Sequence, residues 1–360
     1  MPGRKRGGRA RGGRRAAGFR AARRAMTLVE LLVVVSIGVL LLAMAVPMLK
    51  PAVQEGRIRE AARQVAVFCA IAKARAAESG NTVAVWIERS SNDPNAAQEL
   101  FLAESPPPYV GDTLLARTTG ATVGTNAARV AFDAQSLTLP SLVKPGDVIR
   151  FNYQGPRYSI QNVSMASPNV PYVDILVPAG SPPLPDLARR LPYQIFRQPA
   201  KSALAPLQLS GNVAVDLQYS GIGRTGCEFR DDPAETVNPP VVIAFTPGGR
   251  VDHVVYGGLM REASGTIHLL IGRRDKIMDA AASVAVAGSL PLSAASGSPM
   301  VAYSENVADA SSLWVSIGHA TGSVTTAENA WALTPAPPNF TDSLAAAREF
   351  AQSAVPMGGL

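Results

Sequence analysis

From Leu31 to Leu49 no side chain carries a charge, and Leu, Val, Ala and Met dominate the run. A helix rises about 1.5 Å per residue, so this run nearly covers the roughly 30 Å hydrocarbon core of a bilayer. A helix in a globular core would show a polar face, and this one has none. The run is also longer than the apolar segment of a secretory signal peptide, about 7–15 residues, and no small-x-small site closes it. Arginines lead into it. Residues 1–25 hold ten basic side chains and no acid. Positive flanks stay on the cytoplasmic side, which places residues 51–360 beyond the membrane. The formal charge of +7 thus belongs to the tail, because the remaining chain has 24 basic and 27 acidic residues, a charge of −3. One acid, Glu30, stands at the entrance to the run. An ionised carboxylate inside a span costs up to about 3 kcal/mol on insertion scales, so it calls for a partner.

The stretch "AMTLVELLVVVSIGVLLLAMAVPMLK" resembles the N-terminus of type IV pilins and type II secretion pseudopilins. The resemblance implies cleavage by a prepilin peptidase between Ala25 and Met26, N-methylation of Met26, and a recognition motif of Thr27, Leu28 and Val29 followed by Glu30. Ala25 stands where the family more often has Gly. Gly18-Phe19 is similar to such a junction, but "RAARR" follows it and does not fit the motif. Pro47, twenty-one residues after Met26, matches the family's helix-kinking proline. Cleavage would create a positive α-amino group on Met26. The Glu30 carboxylate can neutralise that amine on a neighbouring subunit, and a paired charge is tolerated where a lone one is expensive. Pro47 removes one helical hydrogen bond and is expected to kink or locally melt the helix, reinforced by Pro51.

Residues 53–79 read as an amphipathic helix. Ile58, Ala61, Ala62, Val65, Phe68, Cys69 and Ala72 recur at three-and-four spacing, with Arg59, Arg63 and Lys73 off the stripe. Gly80-Asn81 supplies the stop. Beyond it, "TVAVWIER", "ARVAFDA", "VPYVDILVP", "NVAVDLQYS", "PPVVIAFTPGGRVDHVVYG" and "GTIHLLIGRRD" are β-like runs between Pro- and Gly-rich turns. "KPGDVIRFNYQGPRYSIQNV" reads as a hairpin, "SSLWVSIGHATGSVTTAEN" as strand–turn–strand, and "TDSLAAAREFAQSAV" as a short C-terminal helix.

The helix, the first strand, "IAFTPGGRV" and "WVSIGHATGSV" together are similar to the GspH/FimT group of minor pseudopilins. The fold expected from pattern and resemblance is α+β and pilin-like. A long N-terminal helix, half transmembrane and half amphipathic, packs on a mostly antiparallel β-sheet domain with a large insertion. The expected divisions are a basic cytoplasmic leader over 1–25, a transmembrane helix over 26–50 and an amphipathic helix over 51–80. A β-rich exported domain follows over 81–327, then a tail with a short helix over 328–360. Residues 90–235 have no counterpart in the group, which leaves an inserted subdomain open, and 279–312 read as a flexible loop. The function implied is that of a minor pseudopilin, anchored in the inner membrane with its domain in the periplasm and drawn into a filament. Its implied partners are prepilin peptidase, other pilin-type subunits, an inner-membrane assembly platform and the lipid bilayer.

Catalytic chemistry finds little support in the residues. His253, His268 and His319 lie singly on strand-like segments or turns, and no G-x-S-x-G elbow is present. "GRTGCEF" lacks the lysine of a phosphate loop, and Asp231-Asp232 reads as a solvated pair in a loop. No enzyme, cofactor or metal is expected. Cys69 and Cys227 permit a bridge, but Cys69 on the apolar stripe favours burial as a small hydrophobe. An alternative is a tip subunit that binds DNA or another ligand, with Arg273, Arg274 and Lys276 as phosphate contacts. Asp275 and the acidic balance beyond the tail weigh against nucleic acid.

Overall fold

The computed structural model describes residues 27–166, 169–180, 182–232, 238–277, 305–331 and 340–353, without the side chains of 44–52 and 340–341. The leader, the Ala25–Met26 junction and most of the 279–312 loop lie outside them. In chain order, α1 (Leu28–Ser79) precedes β1 (Val83–Glu88), β2 (Ala96–Ala97) and β3 (Glu99–Glu104). Next come β4 (Thr118–Val123), β5 (Ala127–Phe132), α2 (Leu139–Leu142), β6 (Val148–Phe151), β7 (Tyr158–Ala166), β8 (Val170–Leu176) and β9 (Tyr193–Phe196). The short β10 (Ala200–Lys201) and β11 (Leu207–Gln208) lead to β12 (Val213–Ile222), β13 (Val241–Phe245), β14 (Val251–Tyr256) and β15 (Leu259–Arg261). Last are β16 (Ile267–Arg273), β17 (Leu313–Ile317), β18 (Val324–Glu328) and α3 (Phe340–Ser353).

The chain divides into two units, residues 1–52 and residues 53–360, and α1 contributes to both. In the second unit the stripe of α1 is buried. Ile58, Ala62, Val65, Cys69, Ala72 and Ala76 are fully covered, and Phe68 is half-buried against the same core. Two antiparallel sheets supply the cover. The first has seven strands in the order β10-β3-β1-β13-β14-β15, with β11 also on β3. The second has five, β18-β17-β16-β12-β2. Strand alternation sends Val83, Val85, Ile87, Ile243 and Phe245 of the first sheet into the core with α1. From the second sheet Ile267, Leu269, Ile271, Val315 and Ile317 join them. Gly80, at φ +68°, ends α1 in the left-handed conformation favoured after a helix.

The outer faces are covered too, which explains the near-continuous apolar runs of β12 and β13. On the first sheet, Ala84, Ala103, Val242, Ala244 and Val255 pack with Val148 and Phe196 of the chain between β3 and β10. On the second, Tyr219, Leu270 and Trp314 lie with Leu344 and Ala351 of α3. Strands buried on both faces lose the in–out alternation that marks a half-exposed strand.

The chain between β3 and β10 builds a third, six-stranded sheet, β4-β5-β8-β7-β6-β9. It has its own core around Phe132, Ile149, Ile160, Val173, Tyr193 and Ile195. The Val148↔Ser159 pairing closes the hairpin expected from "KPGDVIRFNYQG". This lobe is tied to the first sheet by Gln198 Nε2, which donates to Gly258 O at 2.9 Å, and by Met260 N, which donates to Gly146 O at 3.4 Å.

The fold expected from sequence is corrected here. The protein is mostly β, in three sheets, rather than an α+β, pilin-like fold of a long helix packed on one mostly antiparallel β-sheet domain with a large insertion. Strand pairing is non-local, so period-two runs reveal strands without revealing how many sheets they join. Residues 90–235 are not one insertion either: β2 and β12 belong to the second sheet, and β3 belongs to the first. Within the loop placed at 279–312, residues 305–312 are anchored, with Glu305, Asn306 and Ser312 buried. The span expected over 26–50 is also not supported: among the described residues no helix is long and apolar enough to cross a membrane. α1 keeps helical backbone through Pro47, so the helix does not melt there.

Candidate functional site

The first turn of α1 holds the residues that the motif singles out. Leu31 N donates to Thr27 O at 3.1 Å, which opens the helical ladder. Glu30 N donates to the Thr27 hydroxyl at 3.2 Å. Thr27 is therefore the N-cap and Glu30 the third residue of the helix, the T-x-x-E spacing of a capping box. A carboxylate in this turn is also favoured by the helix dipole. The Glu30 side chain is exposed and makes no hydrogen bond or ion pair among the described residues. Around it the helix is apolar on every side and uncovered. Leu28 is 79% exposed, Val29 69%, Leu32 58%, Leu40 58% and Leu42 63%. Exposed apolar area of this extent marks an interaction surface in a native protein. Ala25 and Met26 lie outside the described residues.

The basic trio near the end of β16 is engaged within the chain. Arg273 pairs with Asp275, Lys276 Nζ lies 2.7 Å from Asp309 Oδ2, and Arg274 donates to Gln98 Oε1 at 2.9 Å. These cations hold the end of β16 to its neighbours. The phosphate-contact reading of Arg273, Arg274 and Lys276 is thereby weakened.

The histidines occupy three different places. His268 is fully buried between Ser316 Oγ at 2.9 Å and Gln352 Nε2 at 3.0 Å. Burial, with Arg348 nearby, pushes its pKa down to about 3, so the ring is neutral. The Gln352 amide donates to Nε2, which leaves Nδ1–H to donate to Ser316. His319 contributes its carbonyl to Val251 N at 2.9 Å, joining the first and second sheets. His253 Nδ1 lies 2.9 Å from Asp252 Oδ2 on β14. The cysteines are free thiols. Cys69 sits in the core, where burial pushes its pKa up to about 12. Asp231 is buried rather than solvated, and its amide donates to Asn95 Oδ1 at 2.9 Å.

Sequence reading missed two arrangements. Under α3, Asp216 Oδ2 accepts from Asn306 Nδ2 at 3.0 Å, and the Tyr219 hydroxyl bonds Glu305. Burial raises the pKa of Asp216 to about 7 and also raises that of Glu305. Asn306 and Glu305 fall in a segment that reads as loop, ninety positions from Asp216, and no local pattern links them. The second arrangement joins the "TPGG" and "ATGS" turns. Lys73 Nζ of α1 donates to Thr321 O at 2.9 Å, and a Cβ on Gly322 would come within 1.9 Å of Gly249 O. Comparison with family models, with curated proteins and with solved structures finds no match.

Proposed function

We propose that the protein is a minor pseudopilin, a structural subunit of a type II secretion pseudopilus or a type IV pilus-like filament. On this reading prepilin peptidase removes residues 1–25 and Met26 becomes the methylated N-terminus. The apolar start of α1 holds the subunit at the inner membrane until an assembly platform draws it into a filament. The observation that carries the reading is the uncovered apolar helix from Leu28 to Leu42, headed by an exposed acid. An apolar side chain moved from water to a covered site gains about 1.5–3 kcal/mol, so neighbours or lipid must cover a helix of this kind. Packing among like helices also gives Glu30 a partner, the amine of an adjacent Met26.

The test is Glu30→Ala. The variant is expected to be cleaved and membrane-associated as usual, yet recovered poorly with its partner subunits after crosslinking and filament shearing. Recovery equal to wild type would contradict the pairing of this carboxylate with a neighbour's amine. A nucleic-acid-binding tip is disfavoured, because Arg273, Arg274 and Lys276 are engaged within the chain.

A further inference from the structure

Where the third sheet's lobe meets the first sheet there are two adjoining cavities, about 270 and 330 Å³, that share Arg157, His253 and Met260 in their walls. The hydrogen bonds at Gln198 and Met260 hold the two walls together. Three buried polar atoms on this cleft, His253 Nε2, Arg197 Nε and Ser105 Oγ, have no hydrogen-bond partner among the described residues. Buried polar groups are otherwise nearly always satisfied, so three orphans on one cleft point to a ligand that supplies their partners.

Their chemistry narrows what that ligand is. The side chain of His253 is 5% exposed, and the pKa of Asp252 is lowered, first by its hydrogen bond to His253. In the neutral ring, an Nδ1–H donated to the Asp252 carboxylate leaves Nε2 as an acceptor awaiting a donor. Arg157 is stacked on the Phe196 ring at 4.6 Å and makes no hydrogen bond among the described residues, so its fork of donors is unspent. Arg197 spends one nitrogen on Pro107 O at 3.1 Å. The acids on the cleft are Asp252, already engaged, and Glu262, while Arg261 is stacked on Tyr256 at 4.7 Å. Guanidinium forks match a carboxylate in two-point geometry.

We propose that this cleft binds the C-terminal end of an extended peptide. The terminal carboxylate is taken by Arg157, Arg197 and Ser105, a peptide N–H donates to His253 Nε2, and the apolar side chain lies against Met260 and Phe196. The site is independent of the filament reading, since it requires neither cleavage nor assembly.

The test uses the full-length chain in detergent and follows the His253 imidazole resonances during titration with acetyl-glycyl-leucine. A ligand of this size is expected to saturate with a Kd on the order of 1 mM, or somewhat tighter. The C-terminal amide of the same peptide, and the variant Arg157→Gln, should each bind about tenfold more weakly, the loss of one charge-assisted contact. A saturable shift with the acid but not the amide supports the assignment. No saturable shift, or equal shifts from acid and amide, overturns it, and both outcomes are read on the wild-type protein even if the variant fails to fold.

Discussion

Cys69 and Asp216 show what burial does to a single ionisable group, and each makes a prediction. The reactive form of a cysteine is its thiolate. With a pKa pushed up to about 12 in the core, Cys69 is expected to resist iodoacetamide at pH 8 in the native protein, while half-buried Cys227 is labelled first. Both should react in denaturant, and equal native labelling rates by mass spectrometry would contradict the packing of α1. Asp216 works in the opposite sense to an ordinary ion-paired carboxylate. Its folded pKa is about 7 against a reference of 3.8, so between those values the native state holds more protons than the unfolded one. Stability contributed by this site therefore falls as pH rises from about 4 to about 7 and then levels. His268 has the reverse slope: depressed to about 3, it takes up a proton only on unfolding, and stability falls as pH drops below the usual histidine range. The two trends oppose each other in wild type, so the variant is the cleaner probe. Asp216→Asn should gain stability over wild type progressively from pH 4 to pH 7, measured by urea midpoints, because an amide keeps an acceptor for Asn306 without the buried charge. A difference independent of pH would show that Asp216 titrates normally.

At the scale of elements, α1 was the part most legible in sequence. Three-and-four spacing picked out Ile58, Ala61, Ala62, Val65, Phe68, Cys69 and Ala72, and all are buried except Phe68, which is half-buried against the same core. The stop at Gly80 and the pairing of β6 with β7 were equally readable, because a helix end and a hairpin are local devices. What could not be read was the second sheet as a separate layer. Its strands β12, β16 and β17 are far apart in the chain, and with both faces covered their residues lost the alternation that would have shown which side met α1. The contact between two turns was hidden for a related reason. "TPGG" and "ATGS" each look like ordinary turns, yet Gly322 (φ +57°) has no room for a side chain against Gly249. Gly322→Ala is expected to cost at least about 2 kcal/mol from the left-handed backbone and the clash together, read as a lower denaturant midpoint. An unchanged midpoint would mean that this contact does not close the end of the two sheets.

For the whole molecule, the unit beyond residue 53 is built in layers. One helical stripe is held by two sheets, a third sheet rides on the first, and α3 seals the second. The start of α1 carries chemistry of a different kind, an apolar surface without cover and a carboxylate at its head. Glu30 was recognisable from its place beside the arginines and the apolar run. The peptide-end cleft was not, because Ser105, Arg157, Arg197 and His253 come from separate segments that only the lobe and the first sheet bring together. The most direct test of the central claim is the N-terminal mass of the membrane-associated protein from cells with an active prepilin peptidase. The account predicts a chain beginning at Met26, methylated, with the ten basic residues of the leader gone. A protein that keeps residues 1–25 intact would contradict it.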